Sequence, residues 1–207
     1  GEYKPRMPLV KATVSQDASV EDGNRETGAI IALRLPSSGN LGSAFQDMFS
    51  SLKVKATSKK AHAEARGNFM LFLMTSRLSG EDYEIEAVKL AREIQKTIKS
   101  AVSSGNMQVP SSIGITKGEV ITSGSLGRLF SFTALGNAVS KAQKLAMQAN
   151  GEILVSDAVK HKVGTQARMS RFPGTEAWKV DNVVNRDEYS GFVSGFIKRH
   201  GHGHGNK

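Results

Sequence analysis

The sequence predicts an α+β domain, a mostly antiparallel sheet with helices on one face. Three observations carry that expectation. Two apolar runs of strand length, 29–35 (AIIALRL) and 68–75 (NFMLFLMT), stand apart in polar surroundings. A longer stretch, 79–103, places its apolar residues at helical spacing. A third region, 112–135, reads as two strands joined by a Gly- and Ser-rich turn. Short strands in pairs, separated by amphipathic helices, make a layered α+β architecture.

Residues 1–27 are polar and without period, so they read as an N-terminal arm. The run 29–35 is a central strand, and 36–42 (PSSGNLG) is loop chemistry. Ser43 caps a helix to about residue 52, with Phe45, Met48, Phe49 and Leu52 on one side. Residues 53–67 are basic and polar, a strand edge with a loop, and 68–75 is a buried strand. The helix 79–103 has Ala87, Leu90, Ala91, Ile94, Ile98, Ala101 and Val102 on its apolar side, and its charges largely on the other. Strands 112–121 and 129–135 form a hairpin. Residues 137–150 form a helix stopped by Gly151. A short strand, 153–155, precedes a helix, 157–163, capped by Ser156. Residues 168–172 and 178–184 read as a closing strand pair. The organisation is an arm (1–27), a domain (28–185) and a basic Gly- and His-containing extension (186–207).

The 207 residues suit one domain with extensions, and no run approaches the roughly 20 apolar residues of a membrane span. The absence of cysteine excludes disulfides, thiolate metal sites and cysteine nucleophiles. Lys and Arg exceed Asp and Glu to give a formal charge of +9, which reads first as a solvated surface and, as alternatives, as a match for nucleic acid, an acidic protein partner or a peripheral acidic membrane contact. No aromatic-interleaved basic motif points to nucleic acid. Residues 1–25 carry no signal-peptide h-region, and the initial Gly fits either a processed form or an added residue. The sequence expects a soluble protein and leaves its compartment open, an organelle reached after removal of a targeting peptide being one alternative.

The order of motifs in 111–156 adds a resemblance. Ile113-Gly114-Ile115 with Gly118 and Val120, the Gly127-Arg128-Phe132-Thr133 region, Gly136-Asn137-Ala138-Val139-Ser140-Lys141-Ala142-Gln143-Lys144-Leu145, and Gly151-Glu152-Ile153-Leu154-Val155-Ser156 follow one another as in class III adenylyl and guanylyl cyclase domains. The chain is similar to that family over about residues 29–184. The resemblance implies a ferredoxin-like nucleotide-cyclase core and an exposed face used for dimerisation. It also implies a site that converts ATP or GTP to a cyclic nucleotide with two divalent ions, Mg²⁺ or Mn²⁺.

Carried over residue by residue, the same resemblance shows substitutions. The family's metal-binding aspartates fall on the strand 29–35, at Leu33, and on Asn68. Hard cations want carboxylate oxygens, which neither supplies, and Arg34 adds a cation there. The family's ribose-positioning Asn and phosphoryl-stabilising Arg fall on Ser140 and Lys144; lysine keeps the charge without the planar fork. Thr133 holds the purine-reading position, and Asn137 begins the helix beside it, so these two are the nucleotide-binding residues the resemblance leaves. No catalytic residue and no cofactor is expected.

Other residues add less. The turn around Gly118, Ser123, Gly124, Ser125 and Gly127 lacks the spacing of a phosphate-binding P-loop. His200, His202 and His204 alternate with Gly, a pattern that binds Zn²⁺, Ni²⁺ or Cu²⁺ weakly. His62 and His161 read as isolated surface or helix residues. Trp178 reads as packing, and Phe192, Phe196 and Ile197 as a docking segment or a satellite of the core. The sequence thus points to a catalytically inactive cyclase-like domain, a structural or protein-interaction subunit of a larger assembly or a dimer. The alternatives are a divergent purine nucleotide cyclase active with a partner, and a regulatory module that binds nucleotide without turnover.

Overall fold

The computed structural model describes residues 23–36, 43–105, 111–126 and 128–184. Within them the order is β1 (Gly23–Arg34), α1 (Ser43–Ser58), β2 (His62–Arg66), β3 (Phe69–Thr75), a one-turn α2 (Ser76–Ser79), α3 (Tyr83–Gly105), β4 (Ile113–Ser125), β5 (Arg128–Ala134), α4 (Ala138–Gln148), β6 (Ile153–Val155), α5 (Asp157–Val163), β7 (Ala167–Arg171) and β8 (Trp178–Val183). The strands form one sheet, β2-β3-β1-β4-β6-β8-β7, with β5 paired to β4 off that path. Pairing is antiparallel except between β4 and β6.

Alternation along β1 divides the interior. Ala29, Ile31 and Leu33 face the main core, which is covered by α1, α3 and α5. Ile30 and Ala32 face the opposite side, where Leu71, Leu73, Val120 and Phe132 meet Ala138, Ala142 and Ala146 of α4. Because both faces of β1 and β3 are buried, their sequences are continuous apolar runs rather than alternating ones.

The expected α+β class and antiparallel sheet are present. Helix placement differs, for α4 lies on the other face. The reason is a seam of small residues: a Cβ on Gly114 would come within 2.2 Å of the Ala142 carbonyl, and one on Gly118 within 2.5 Å of the Ala138 Cβ. Helix and strand approach this closely because the strand offers bare glycine backbone and the helix only alanine methyls at the seam.

Several boundaries also move. β1 starts at Gly23, inside the expected arm, because residues 23–27 pair with β4 from Ser123 to Glu119. The helix from Ser43 runs on to Ser58, since Leu52 and Ala56 continue the buried stripe of Phe45 and Met48. The long helix begins at Tyr83; the expected start near 79 is instead the end of α2, whose cap is Thr75 Oγ1 accepting from the Leu78 amide at 3.2 Å. α4 ends at Gln148 with Ala149 as its C-cap in extended conformation, so Gly151 (φ +91°) shapes the turn after it rather than the helix stop. Ser156 takes the N-cap position of α5, but its side chain makes no capping bond. The expected arm before residue 23, the loop 37–42, Gly127, the His200, His202 and His204 triplet and the Phe192, Phe196 and Ile197 patch lie outside the described residues.

Candidate functional site

The sheet brings Leu33, Arg34 and Asn68 to the same end. β1 and β3 pair Leu33 with Met70 and Arg34 with Phe69, and the Leu35 amide donates to the Asn68 carbonyl at 2.9 Å. Their side chains do not form a cation site. Leu33 is fully buried in the main core, and Ala32, its neighbour on the opposite face, is equally buried. Residues 35–42 (LPSSGNLG), which follow β1 in the sequence, include no acid. An apolar side chain, a guanidinium and one amide do not fit a pair of divalent ions.

The other family positions lie along α4 and β5. Asn137 occupies the N-cap position of α4 without a side-chain capping bond. The Ser140 hydroxyl donates to the Asn137 carbonyl at 3.0 Å, so it is engaged locally on an exposed face. Thr133 sits on β5 opposite Ile121 and is exposed. Lys144, one turn beyond Ser140, lines a cleft of about 700 Å³ with Lys141, Gln148, Ser156, Glu176 and Thr175. Neither Thr133, Asn137 nor Ser140 lines it. The Ser156 Oγ, buried at this wall, has no hydrogen-bond partner among the described residues. Asp157 is occupied at 3.2 Å by the Trp178 indole N–H, and the same ring has Lys160 Nζ 4.2 Å from its centroid.

A polar cluster on β2 was not legible in the sequence. His62 Nε2 lies 2.9 Å from Glu64 Oε1, and Arg66 donates to Glu64 Oε2 from Nε at 3.0 Å and from Nη2 at 2.8 Å. The Arg66 guanidinium lies over the Phe132 ring at 4.7 Å and donates to the Phe132 carbonyl at 3.2 Å. His62 packs on Phe130 with ring centroids 4.5 Å apart. His62 is therefore neither isolated nor helical. The signal was the i, i+2, i+4 spacing of 62, 64 and 66, which puts all three on one strand face, and it disappears if the segment is read as a loop.

Two more clusters anchor this framework. Burial alone would raise the Glu26 carboxyl, but hydrogen bonds from Arg77 and Thr122 outweigh it and hold its pKa below the ordinary value. Arg77 Nη2 is 2.7 Å from Glu26 Oε2, and the Thr122 hydroxyl donates to the same oxygen at 2.6 Å. On the helix-covered face, Lys117 Nζ meets the buried Glu84 at 2.7 Å. That hydrogen bond, opposed by burial, raises the Lys117 pKa.

With this geometry in place, the comparisons with known proteins agree on architecture. No family model and no curated protein matches the chain. Solved structures do. The monomeric guanylyl cyclase domain of the RhoGC fusion protein from the aquatic fungus Blastocladiella emersonii superposes with a TM-score of 0.64 at 15% identity, over 79% of this chain and 99% of that one. The guanylate cyclase domain of RhGC from Catenaria anguillulae, solved in complex with GTP, gives 0.64 at 17% identity, over 78% of this chain and 100% of that one. The adenylyl cyclase CyaB from P. aeruginosa gives 0.61 at 15% identity, over 80% and 98%. The chain has the fold of the adenylyl and guanylyl cyclase catalytic domains.

Proposed function

We propose that this protein is a cyclase-fold domain without nucleotidyl cyclase chemistry, serving as a protein-interaction subunit. The observation that carries this reading is the end of β1: Leu33 is fully buried, and the adjoining turn offers Asn68 where the reaction needs a carboxylate. Without carboxylates there is no ion pair to hold a triphosphate or activate a ribose hydroxyl. Ser140 and Lys144 remove the second half of the family constellation. The outward surfaces of β4, β5 and α4 expose Ile121, Leu129, Leu135 and Met147, apolar side chains that a partner would cover.

A second reading is favoured by the comparisons: the solved structures similar to this chain are cyclase domains, one of them in complex with GTP. In that reading the chain is one half of a purine nucleotide cyclase, and a partner supplies the metal carboxylates. The cleft beside Lys141 and Lys144 would then receive the polyphosphate, and without turnover the same cleft would make the chain a nucleotide-sensing module.

Calorimetric titration with ATP or GTP in Mn²⁺, followed by a cyclic-nucleotide assay, separates these readings. The interaction reading expects no metal-dependent binding and no product. Metal-dependent micromolar binding with cyclic product overturns it. Metal-independent binding without product, lost in Lys144→Ala, supports the sensing module.

A further inference from the structure

The sheet ends on two strands of different character. β2, at one end, has its charges matched within itself: Glu64 takes His62 on one oxygen and Arg66 on the other. β7, at the other end, pairs with β8 on one side and with no strand on its outer side among the described residues. Its two cations, Arg168 and Arg171, are exposed and form no ion pair among those residues. Alternation sends them to opposite faces. Ala167 and Met169 face the main core, and Arg171 stands on that side beside its pairing partner Trp178, whereas Arg168 points away from it.

We propose that the outer edge of β7 docks an acidic, extended segment of a partner protein, which joins the sheet as a further strand. An unpaired row of backbone N–H and C=O groups is the template for such an addition. The flanking side chains set the sign of the partner. On the helix side, Trp178 positions two cations, with Lys160 Nζ 4.2 Å and the Arg171 guanidinium 5.2 Å from its ring centroid. Asp157, three residues before Lys160, accepts the indole N–H at 3.2 Å and pairs with neither cation. On the opposite face, Asp181 is taken by Lys179 at 3.5 Å, and Arg168 has no acid. Glu176, in the turn before β8, is the acid left over between 157 and 184. A strand laid along β7 alternates its side chains between the two faces. Its carboxylates therefore meet Lys160 and Arg171 on one face and Arg168 on the other.

The chemistry of the edge selects this occupant. A polyphosphate chain or a lipid head group satisfies the cations but cannot continue the backbone ladder. Met169 faces the main core, so β7 offers no apolar side chain for insertion into a bilayer. A second copy presenting its own β7 would bring arginines against arginines, and like charges across a strand pair are destabilising. The edge uses none of the apolar side chains on β4, β5 and α4, so the proposal holds or fails separately from the interaction reading given to that patch.

Trp178 is the single tryptophan of the chain, so its emission reports on this edge. The probe is a capped seven-residue peptide of glutamates with threonine at every third position, which places acids on both faces. Titrated into the full-length protein, it should change Trp178 emission saturably. It should also slow hydrogen exchange at the amides of 167–171 and leave those of 62–66 unchanged. Arg168→Ala and Arg171→Ala should each weaken binding roughly two- to fivefold, as loss of one exposed ion pair predicts, and added salt should weaken it further. Both arginines are exposed, so the variants should melt with the parent. A peptide with proline in place of each threonine keeps the charge but cannot pair along its length. Equal binding by that peptide would reduce the edge to a diffuse anion contact and overturn the proposal. A larger response to phosphatidylserine vesicles or to single-stranded DNA than to the acidic peptide would assign the surface to a membrane or a nucleic acid instead. Amides of 167–171 as slow as those of β6 in the protein alone would show the edge already covered by the chain itself or by a second copy. No emission change and no added protection at 167–171 would equally overturn it.

Discussion

Replacing Gly114 with alanine tests the α4 seam. Gly114 lies on β4 beneath the middle of α4, and a Cβ there would sit 2.2 Å from the Ala142 carbonyl, 2.7 Å from the Leu145 Cβ and 2.8 Å from the Ala146 nitrogen. Two of these obstacles are helix backbone, so no rotamer change relieves them. Non-bonded carbons settle near about 3.5 Å, so the helix must retreat by on the order of 1 Å. That movement loosens Ala138, Ala142 and Ala146, the buried helical members of the second core cluster among the described residues. It also stretches the 2.7 Å bond from the buried Thr116 hydroxyl to the Ala138 carbonyl.

Overpacking of a tight core costs about 1–3 kcal/mol, and the backbone obstacle places Gly114→Ala at the upper end, about 3 kcal/mol. For a domain of this size that is a fall in Tm of roughly 6–12 °C. Urea unfolding followed by the fluorescence of the single Trp178 measures it, with Gly136→Ala as control, because a Cβ at Gly136 meets nothing within 4 Å. The control should change stability by less than about 0.5 kcal/mol. A Gly114→Ala protein within about 1 kcal/mol of wild type would refute the argument that α4 rides on bare strand backbone.

Two further outcomes follow from the same geometry. Leu33→Asp should unfold or severely destabilise the domain, since it puts an unpaired carboxylate in the main core, whereas Asn68→Asp in the hairpin turn should be nearly neutral; circular-dichroism melts of the two variants decide this. The Glu26 contribution is fully present above the ordinary carboxyl value of 4.5 and is lost as pH falls through the depressed folded value. Arg77→Ala should therefore flatten the acid limb of a stability-versus-pH curve and cost about 1–2 kcal/mol at neutral pH, Arg77 being partly exposed. An acid limb as steep as wild type would remove Glu26 from the account.

Where burial writes a periodicity, the sequence was readable. β3 buries nearly every residue and is a plain apolar run, and α3 keeps its apolar residues on one side of six turns. The strand residues taken for an arm, and the cluster on the edge strand expected within 53–67, are stabilised by polar partners distant in sequence. Residues 23–27 form strand because Arg25 reaches Glu119 at 2.8 Å and Glu26 reaches Arg77, neither of which is visible locally. β2 (HAEAR) has two alanines and no β-branched residue, and its cluster becomes evident only once 62, 64 and 66 share a face with Phe130 and Phe132 above them. The side on which α4 packs was hidden for a related reason: its buried residues are alanines, which give a weak apolar signal, and the deciding feature is the missing side chains of Gly114 and Gly118.

The candidate site divides along the same line. Positions that shape the fold are constrained: Gly114 and Gly118 leave no room for a Cβ, and Ala142 and Val155 are fully buried, so few residue types can stand there. Positions that would carry chemistry are not held in this way. Ser140 and Lys144 lie exposed on α4, and Asn68 turns a hairpin, where the structure accepts a wide range of side chains. Leu33 is the exception. It is fully buried in the main core, so placing a carboxylate there means rebuilding the packing between β1 and the helix layer. Substitution at the exposed positions costs the fold little, whereas a carboxylate at the buried position 33 costs it heavily.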